Sequence, residues 1–357
     1  MKPAVLACRR CPTLAVVALL VMSVVVLVAS ASAAQGPAIP RVASPVTVKM
    51  GSTVGSMSVA GVYIATEKGY FRDANITTQL VPLGGMGAML APLTTGELDL
   101  ALGGPSVGLF NAASRGIHFK IVADQNSAFP GRSFFALMVR KDLVDSGQVK
   151  GFADFKGRRV AMTTRRTTLE LDLQKALRTA GLELNDVSIV TMDWPQINTA
   201  FANKSLDVGF QLEPLVTVAV TQNLAVRFRG LDEITPNRQN AFLVASEQFA
   251  AKRELARAWM VAYVRGLRDY NDAVLKNKNR EAIIVILQKH SSVKDRAIYE
   301  KMVLPGIHPD GEVNVASVRE ALEAFKATGE VKPEVDLDKM LDLSFVRYAQ
   351  EVLGRYQ

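Results

Sequence analysis

The 357-residue chain contains two cysteines, Cys8 and Cys11, and both fall within its first dozen residues. Beyond them no thiol is left to form a disulfide, attack a substrate or ligate a metal. The three histidines, His118, His290 and His308, stand apart, with none of the spacings that bring two ligands to one ion. No metal and no cofactor are expected. No Ser-His-Asp order replaces the missing cysteine, so no catalytic residue is assigned. The formal charge of +8 is moderate. No basic run interleaved with aromatics occurs, which speaks against a nucleic-acid partner. Gly84-Gly85-Met86-Gly87 is not followed by Gly-Lys-Ser or Gly-Lys-Thr, so it is not a P-loop. No repeat of fixed short period is present, which excludes a solenoid.

What is present begins with Lys2, Arg9 and Arg10, then an apolar run over 14–28, then Ala31-Ser32-Ala33. This three-part order reads as a secretory signal over residues 1–34, cleaved on export to the periplasm. A membrane-spanning helix needs ~20 apolar residues, and this run is shorter. Cys11 precedes the apolar run and is followed by Pro12, which excludes a lipoprotein cysteine. Loss of the three leading charges leaves the mature chain near +5. Residues 34–45, rich in Pro, Ala and Ser, read as a tether.

From residue 46 onward short apolar strands alternate with helical patterns. Strands are expected at 46–50, 76–82, 98–102 and 119–123, with helices at 85–94 and 107–114 closed by Gly96 and Gly116. A strand at 134–139 leaves this first set. A second set follows: strand 159–162, helix 168–179, strand 187–191, helix 196–203 and strand 206–210. A strand at 240–246 returns, and the tail is helical. Such alternation implies α/β architecture, with two mostly parallel sheets and helices on both faces. The expected lobes are 46–140 plus 240–357, and 141–239, with hinges near 138–150 and 228–242. In such sheets ligands sit off the carboxyl ends of the strands. The series Trp259, Tyr263, Tyr270 on one long helix has the spacing of a buried stripe.

Five short motifs occur in order: Val62-Tyr-Ile-Ala-Thr-Glu-Lys-Gly-Tyr-Phe71, Gly96-Glu-Leu-Asp99, Asp154-Phe-Lys-Gly-Arg-Arg-Val160, Glu213-Pro214 and Asp342-x-x-Phe345. From about 46 to 354 the chain thereby resembles the solute-binding proteins of ABC importers, in the sulfonate, nitrate, taurine and thiamine-precursor group. The resemblance implies a two-lobed type II periplasmic binding fold with a hinge of two crossings. It implies a non-enzymatic, monomeric receptor that passes a small molecule to an ABC permease and, through it, to an ATPase subunit. A small anionic or zwitterionic solute of sulfonate, taurine or nitrate type is expected, with a pyrimidine as the alternative. Enzyme relatives on this fold rely on a reactive cysteine, which the mature chain lacks.

Candidate ligand residues follow from the strand-end rule. Ser56 and Ser58 precede the first helix and serve either an anion or the helix cap. Gly84, Gly85 and Met86, then Gly104 and Ser106, lie in loops where glycine allows close approach to a ligand. Arg165 and Arg166 follow strand 159–162, where a guanidinium fork suits oxyanions. Thr167 and Glu170 have capping-box spacing. Trp194 either walls the pocket or fills the lobe core. Gln211 and Glu213 end the last strand of the second set, and Glu213 suits a ligand amine or a cleft arginine. Asn126, Arg132 and Asn240 flank the crossings, in contact with ligand or in the hinge.

Overall fold

Among the described residues ten strands divide into two sheets of five, in chain order except that the last strand returns to the first sheet. The computed structural model describes residues 39–357 apart from Val54 and Ser292; the expected signal segment lies outside the described residues. The strands are β1 (Val46–Ser52), β2 (Ile76–Pro82), β3 (Leu100–Gly103), β4 (Phe119–Ser127), β5 (Phe135–Arg140), β6 (Arg159–Met162), β7 (Ser188–Thr191), β8 (Val208–Leu212), β9 (Ala225–Gly230) and β10 (Gln239–Ser246). Helices of seven or more residues are α1 (Ala60–Glu67), α2 (Met86–Thr95), α3 (Val107–Ser114), α4 (Thr168–Arg178), α5 (Trp194–Ala202), α6 (Leu215–Thr221), α7 (Arg253–Leu275), α8 (Arg280–His290), α9 (Val315–Ala327) and α10 (Ser344–Leu353).

The first sheet runs β2-β1-β3-β10-β4 and the second β7-β6-β8-β5-β9. In the first, β1 pairs parallel with β2 and β3, whereas β10 is antiparallel to β3 and β4. In the second, β6 is parallel to β7 and β8, whereas β5 is antiparallel to β8 and β9. The sheets are therefore mixed, and the single reversed strand in each, β10 or β5, is the one the chain enters by crossing from the other lobe.

Two expectations change. The strand at 135–140 belongs to the second sheet by its pairing, so the first lobe's opening segment ends before it rather than at 140. The edge strand β9 was not anticipated. The crossings are accordingly residues 128–134 and 231–238. They are tied to each other by backbone hydrogen bonds from Ala128 N–H to the Arg238 carbonyl and from Asn237 N–H to the Ala128 carbonyl, both 2.8 Å. The first hinge thus lies earlier than 138–150.

Both faces of the first sheet are covered by helices. One face packs on α1, α7, α8 and α10, the other on α2, α3 and α9. Helix α7 crosses α1 closely at paired glycines. A Cβ on Gly266 would stand 2.2 Å from the Gly61 carbonyl oxygen, so only glycine fits there. Trp259, Tyr263 and Tyr270 are fully buried. Their polar tips reach partners as buried aromatics require: the Trp259 indole donates to Thr78 Oγ1, and the tyrosine hydroxyls to the carbonyls of Asp124 and Pro305. Gly69 ends α1 with φ of 78°, the left-handed conformation its sequence position calls for.

Candidate ligand-binding cleft

A cavity of about 710 Å³ opens at the strand ends between the two sheets. The first lobe supplies the loop after β2 with the start of α2, and the loop after β3 with the start of α3. The second lobe supplies residues 163–169, between β6 and α4. Three helix N-termini therefore meet at one cavity. Each presents first-turn N–H groups that have no partner within the helix, and each carries the positive end of a helix dipole.

The three ends are built differently. Gly85 caps α2 with φ of 116°, in a region that L side chains rarely adopt. A Cβ added to Gly84, Gly85 or Gly87 would meet no atom within 4 Å, so this loop shows bare backbone to open space. Ser106 caps α3, its hydroxyl accepting from Leu109 N–H at 3.2 Å. Thr167 stands before α4 but makes no side-chain cap bond. The expected capping box is displaced by one residue, because Glu170 reaches back to Arg166 N–H at 3.1 Å.

Arg165 and Arg166 line the cavity, but both have carboxylate partners. The Arg165 guanidinium forks onto Glu170, with Nη2 3.1 Å from Oε1. The Glu170 carboxyl lies below its ordinary value. Burial pushes it up, and the Arg165 side chain and Arg166 N–H outweigh that push. Arg166, left-handed at φ of 61°, reaches across the cleft to Glu330 with Nε 3.0 Å from Oε1. Its carbonyl accepts from Val107 N–H at 3.1 Å, and Ser106 and Thr167 form an isolated bridge. The two walls thus touch directly.

Of the expected residues, Gly84, Gly85, Met86, Gly104, Ser106, Arg165, Arg166, Thr167 and Asn240 are brought together around the cavity. Asn126 and Arg132 are not among its lining residues, nor are five others. The Ser56 and Ser58 hydroxyls bond each other at 2.7 Å, away from the cavity lining, and Ser56 makes no side-chain cap bond. Trp194 stands behind the lining residue Phe135, with ring centroids 5.7 Å apart. Gln211 is fully buried with its amide committed: Nε2 donates to the Trp194 carbonyl and Asn198 Oδ1, and Oε1 accepts from Leu212 N–H. Glu213 accepts from Thr217 N–H at 3.0 Å and Val303 N–H at 3.2 Å. It caps α6 and ties the second lobe to the C-terminal half, and burial raises its pKa. The strand-end rule finds the right end of each strand but not how far the cavity extends along it. Phe135, Leu169 and Arg115 also line the cavity and were missed. Phe135 opens the reversed strand β5, so its place was hidden by the assignment of that strand to the wrong lobe.

The residues span a match, over 56–272, to a family model described as NMT1/THI5 like. The chain belongs to the NMT1/THI5-like family. Among its relatives, a Brucella abortus (strain 2308) chain named in general terms as a binding protein is 24% identical over 234 residues, covering 65% of this chain and 69% of that one. The alkanesulfonate-binding protein SsuA of Xanthomonas axonopodis pv. citri, bound to MOPS, superposes with a TM-score of 0.66 at 16% identity, over 85% of this chain and all of the other. The periplasmic nitrate-binding protein NrtA of Synechocystis PCC 6803 gives 0.68 at 15% identity, over 87% and 89%. These likenesses establish the two-lobed periplasmic binding fold for this family member. Among the described residues no helix is long and apolar enough to cross a membrane.

Proposed function

We propose that this NMT1/THI5-like protein is the periplasmic receptor of an ABC importer and captures an organic anion between its lobes. The observation that carries this reading is the meeting of three helix N-termini at one cavity. Their N–H groups favour an anion without a cationic side chain. The rest of the cavity favours an organic body. Its volume lies in the range of organic-ligand pockets, and Met86, Leu90, Leu109, Phe135 and Leu169 give it apolar walls. A four-atom oxyanion such as nitrate leaves most of it unfilled. As a receptor it acts as a monomer, closes about the crossings and presents the closed form to the permease and its ATPase.

One observation favours a second ligand, a pyrimidine-type heterocycle read through its own donors: both cleft arginines already hold carboxylates. A thermal-shift screen decides between them, using alkanesulfonates, taurine, aromatic acids, aminopyrimidines and nitrate. A ligand at 100 times its Kd adds ~2.7 kcal/mol to stability. The organic acids are expected to raise Tm and nitrate to leave it unchanged. A shift from nitrate alone, or from none of the set, counts against the reading.

A further inference from the structure

The strand ends beneath the cleft hold amides that the chain leaves unsatisfied. Asn126, near the end of β4, is 1% exposed, and its Nδ2 has no hydrogen-bond partner. Asn240, at the start of β10, lines the cavity, and its Oδ1 is buried without a partner. The two side chains bond each other once, Asn240 Nδ2 donating to Asn126 Oδ1 at 3.0 Å. Gln125, fully buried, has neither amide atom partnered. Polar groups beside them are served in full. Asp124 accepts from Ser127 Oγ, Gln239 Nε2 and His308 N–H, and Gln239 Oε1 accepts from Asn314 N–H. The fold thus supplies partners at this strand end, yet not to Gln125, to Asn126 Nδ2 or to Asn240 Oδ1. Buried polar groups are normally paired, and each exception calls for an explanation.

The loop after β3 holds the pair in place. A Cβ on Gly104 would stand 2.6 Å from the Asn240 carbonyl oxygen, so glycine lets this loop pack against the Asn240 backbone.

Resting on the reading of the cleft as an organic-anion site, we propose that the Asn126–Asn240 pair sets its specificity. The ligand carries, besides its anionic end, an adjacent hydrogen-bond donor and acceptor, as in a carboxamide, ureido or amino-heterocycle edge. The requirement survives either assignment of the amides. Turning both over reverses their mutual bond and still leaves one donor and one acceptor free. Sulfonate, carboxylate and nitrate oxygens only accept, so a ligand made of these alone leaves the pair's acceptor unmet. A site built to bond a ligand N–H rejects the analogue that lacks it.

Calorimetry tests this with 2-, 3- and 4-carbamoylbenzoate against benzoate, on the parent protein, Asn240→Ala and Asn126→Ala. The best carbamoyl isomer is expected to bind the parent about 10-fold or more tighter than benzoate. In both variants that ratio is expected to fall to within about twofold. Benzoate binding with no isomer preferred beyond twofold in the parent overturns the amide proposal and leaves the anion reading standing. A preference that persists in a folded variant overturns it too. If no acid of the set binds, the anion reading falls and the proposal with it. The parent ratio needs no variant, so a misfolded Asn240→Ala does not block the test, and Asn126→Ala supplies the second substitution.

Discussion

The two walls of the cleft differ in what they have left to offer a ligand. On the first-lobe wall, the loop at Gly84, Gly85 and Gly87 shows bare backbone with no atom within 4 Å of where a Cβ would stand. On the second-lobe wall, Arg165 and Arg166 are already bound to Glu170 and Glu330. The α2 loop of one wall keeps its backbone open, and the other wall has turned its charges to ordering its own loop and holding the walls together. A cation at a strand end is therefore a weaker sign of a ligand contact than a glycine there, because the cation finds a carboxylate wherever one is near.

The largest effect that sharpens this contrast is expected at Gly85. Its φ of 116° and extended ψ suit glycine alone. Gly85→Ala should cost about 1–3 kcal/mol through backbone strain. Gly84→Ala, with open space and no such φ, should be nearly neutral. Urea unfolding of the two variants checks this, and equal losses would remove the special standing of the α2 loop.

A smaller effect is expected at Glu170. Its carboxyl is lowered in the folded protein, so the stability it contributes is present above its ordinary value of 4.5 and disappears as pH falls through the folded value. Glu170→Gln should cost about 1 kcal/mol at neutral pH, since the pair it makes is partly exposed. Its unfolding midpoint should also fall less steeply than the parent's on going from pH 7 to pH 3. Parallel pH profiles for the two would show that the Arg165 pair orders nothing.

The smallest effect on stability is expected at the contact between walls. Arg166 and Glu330 are partly exposed, and such pairs are worth ~0–1 kcal/mol. Arg166→Ala or Glu330→Ala should leave Tm nearly unchanged yet enlarge the ligand-free radius of gyration in X-ray scattering. High salt should enlarge the parent in the same way. Equal radii for parent and variants, at low salt and without ligand, would mean that the pair does not hold the walls.

The sequence was informative where punctuation is local. Glycines after β2 and β3 mark loops at the strand ends, and Gly84, Gly85 and Gly104 line the cavity. Gly69 and the stripe of Trp259, Tyr263 and Tyr270 were equally legible, because each rests on a short-range rule of helix geometry. Where three-dimensional neighbours decide, the same rules fell short. Glu213 caps α6 and holds the backbone of Val303, 90 residues away in the chain, a partner no local pattern reveals. Gln211 spends its amide on Trp194 and Asn198 in the same way. Strand β9 did carry a readable signal. Val226 and Phe228, alternating with Arg227 and Arg229, pack against the second-lobe core, the pattern of a half-buried edge strand. Its two arginines masked the pattern, and with it the pairing that puts β5 in the second lobe.

The measurement that bears most directly on the central claim is a crystal structure with the organic acid that the screen finds to bind most tightly. The account predicts an anionic oxygen 2.7–3.2 Å from backbone N–H groups in the first turn of α2 or α4, with the apolar body against Met86, Leu109 and Phe135. The same acid held by Arg165 and Arg166 side chains released from Glu170 and Glu330, or bound away from this cavity, would contradict it.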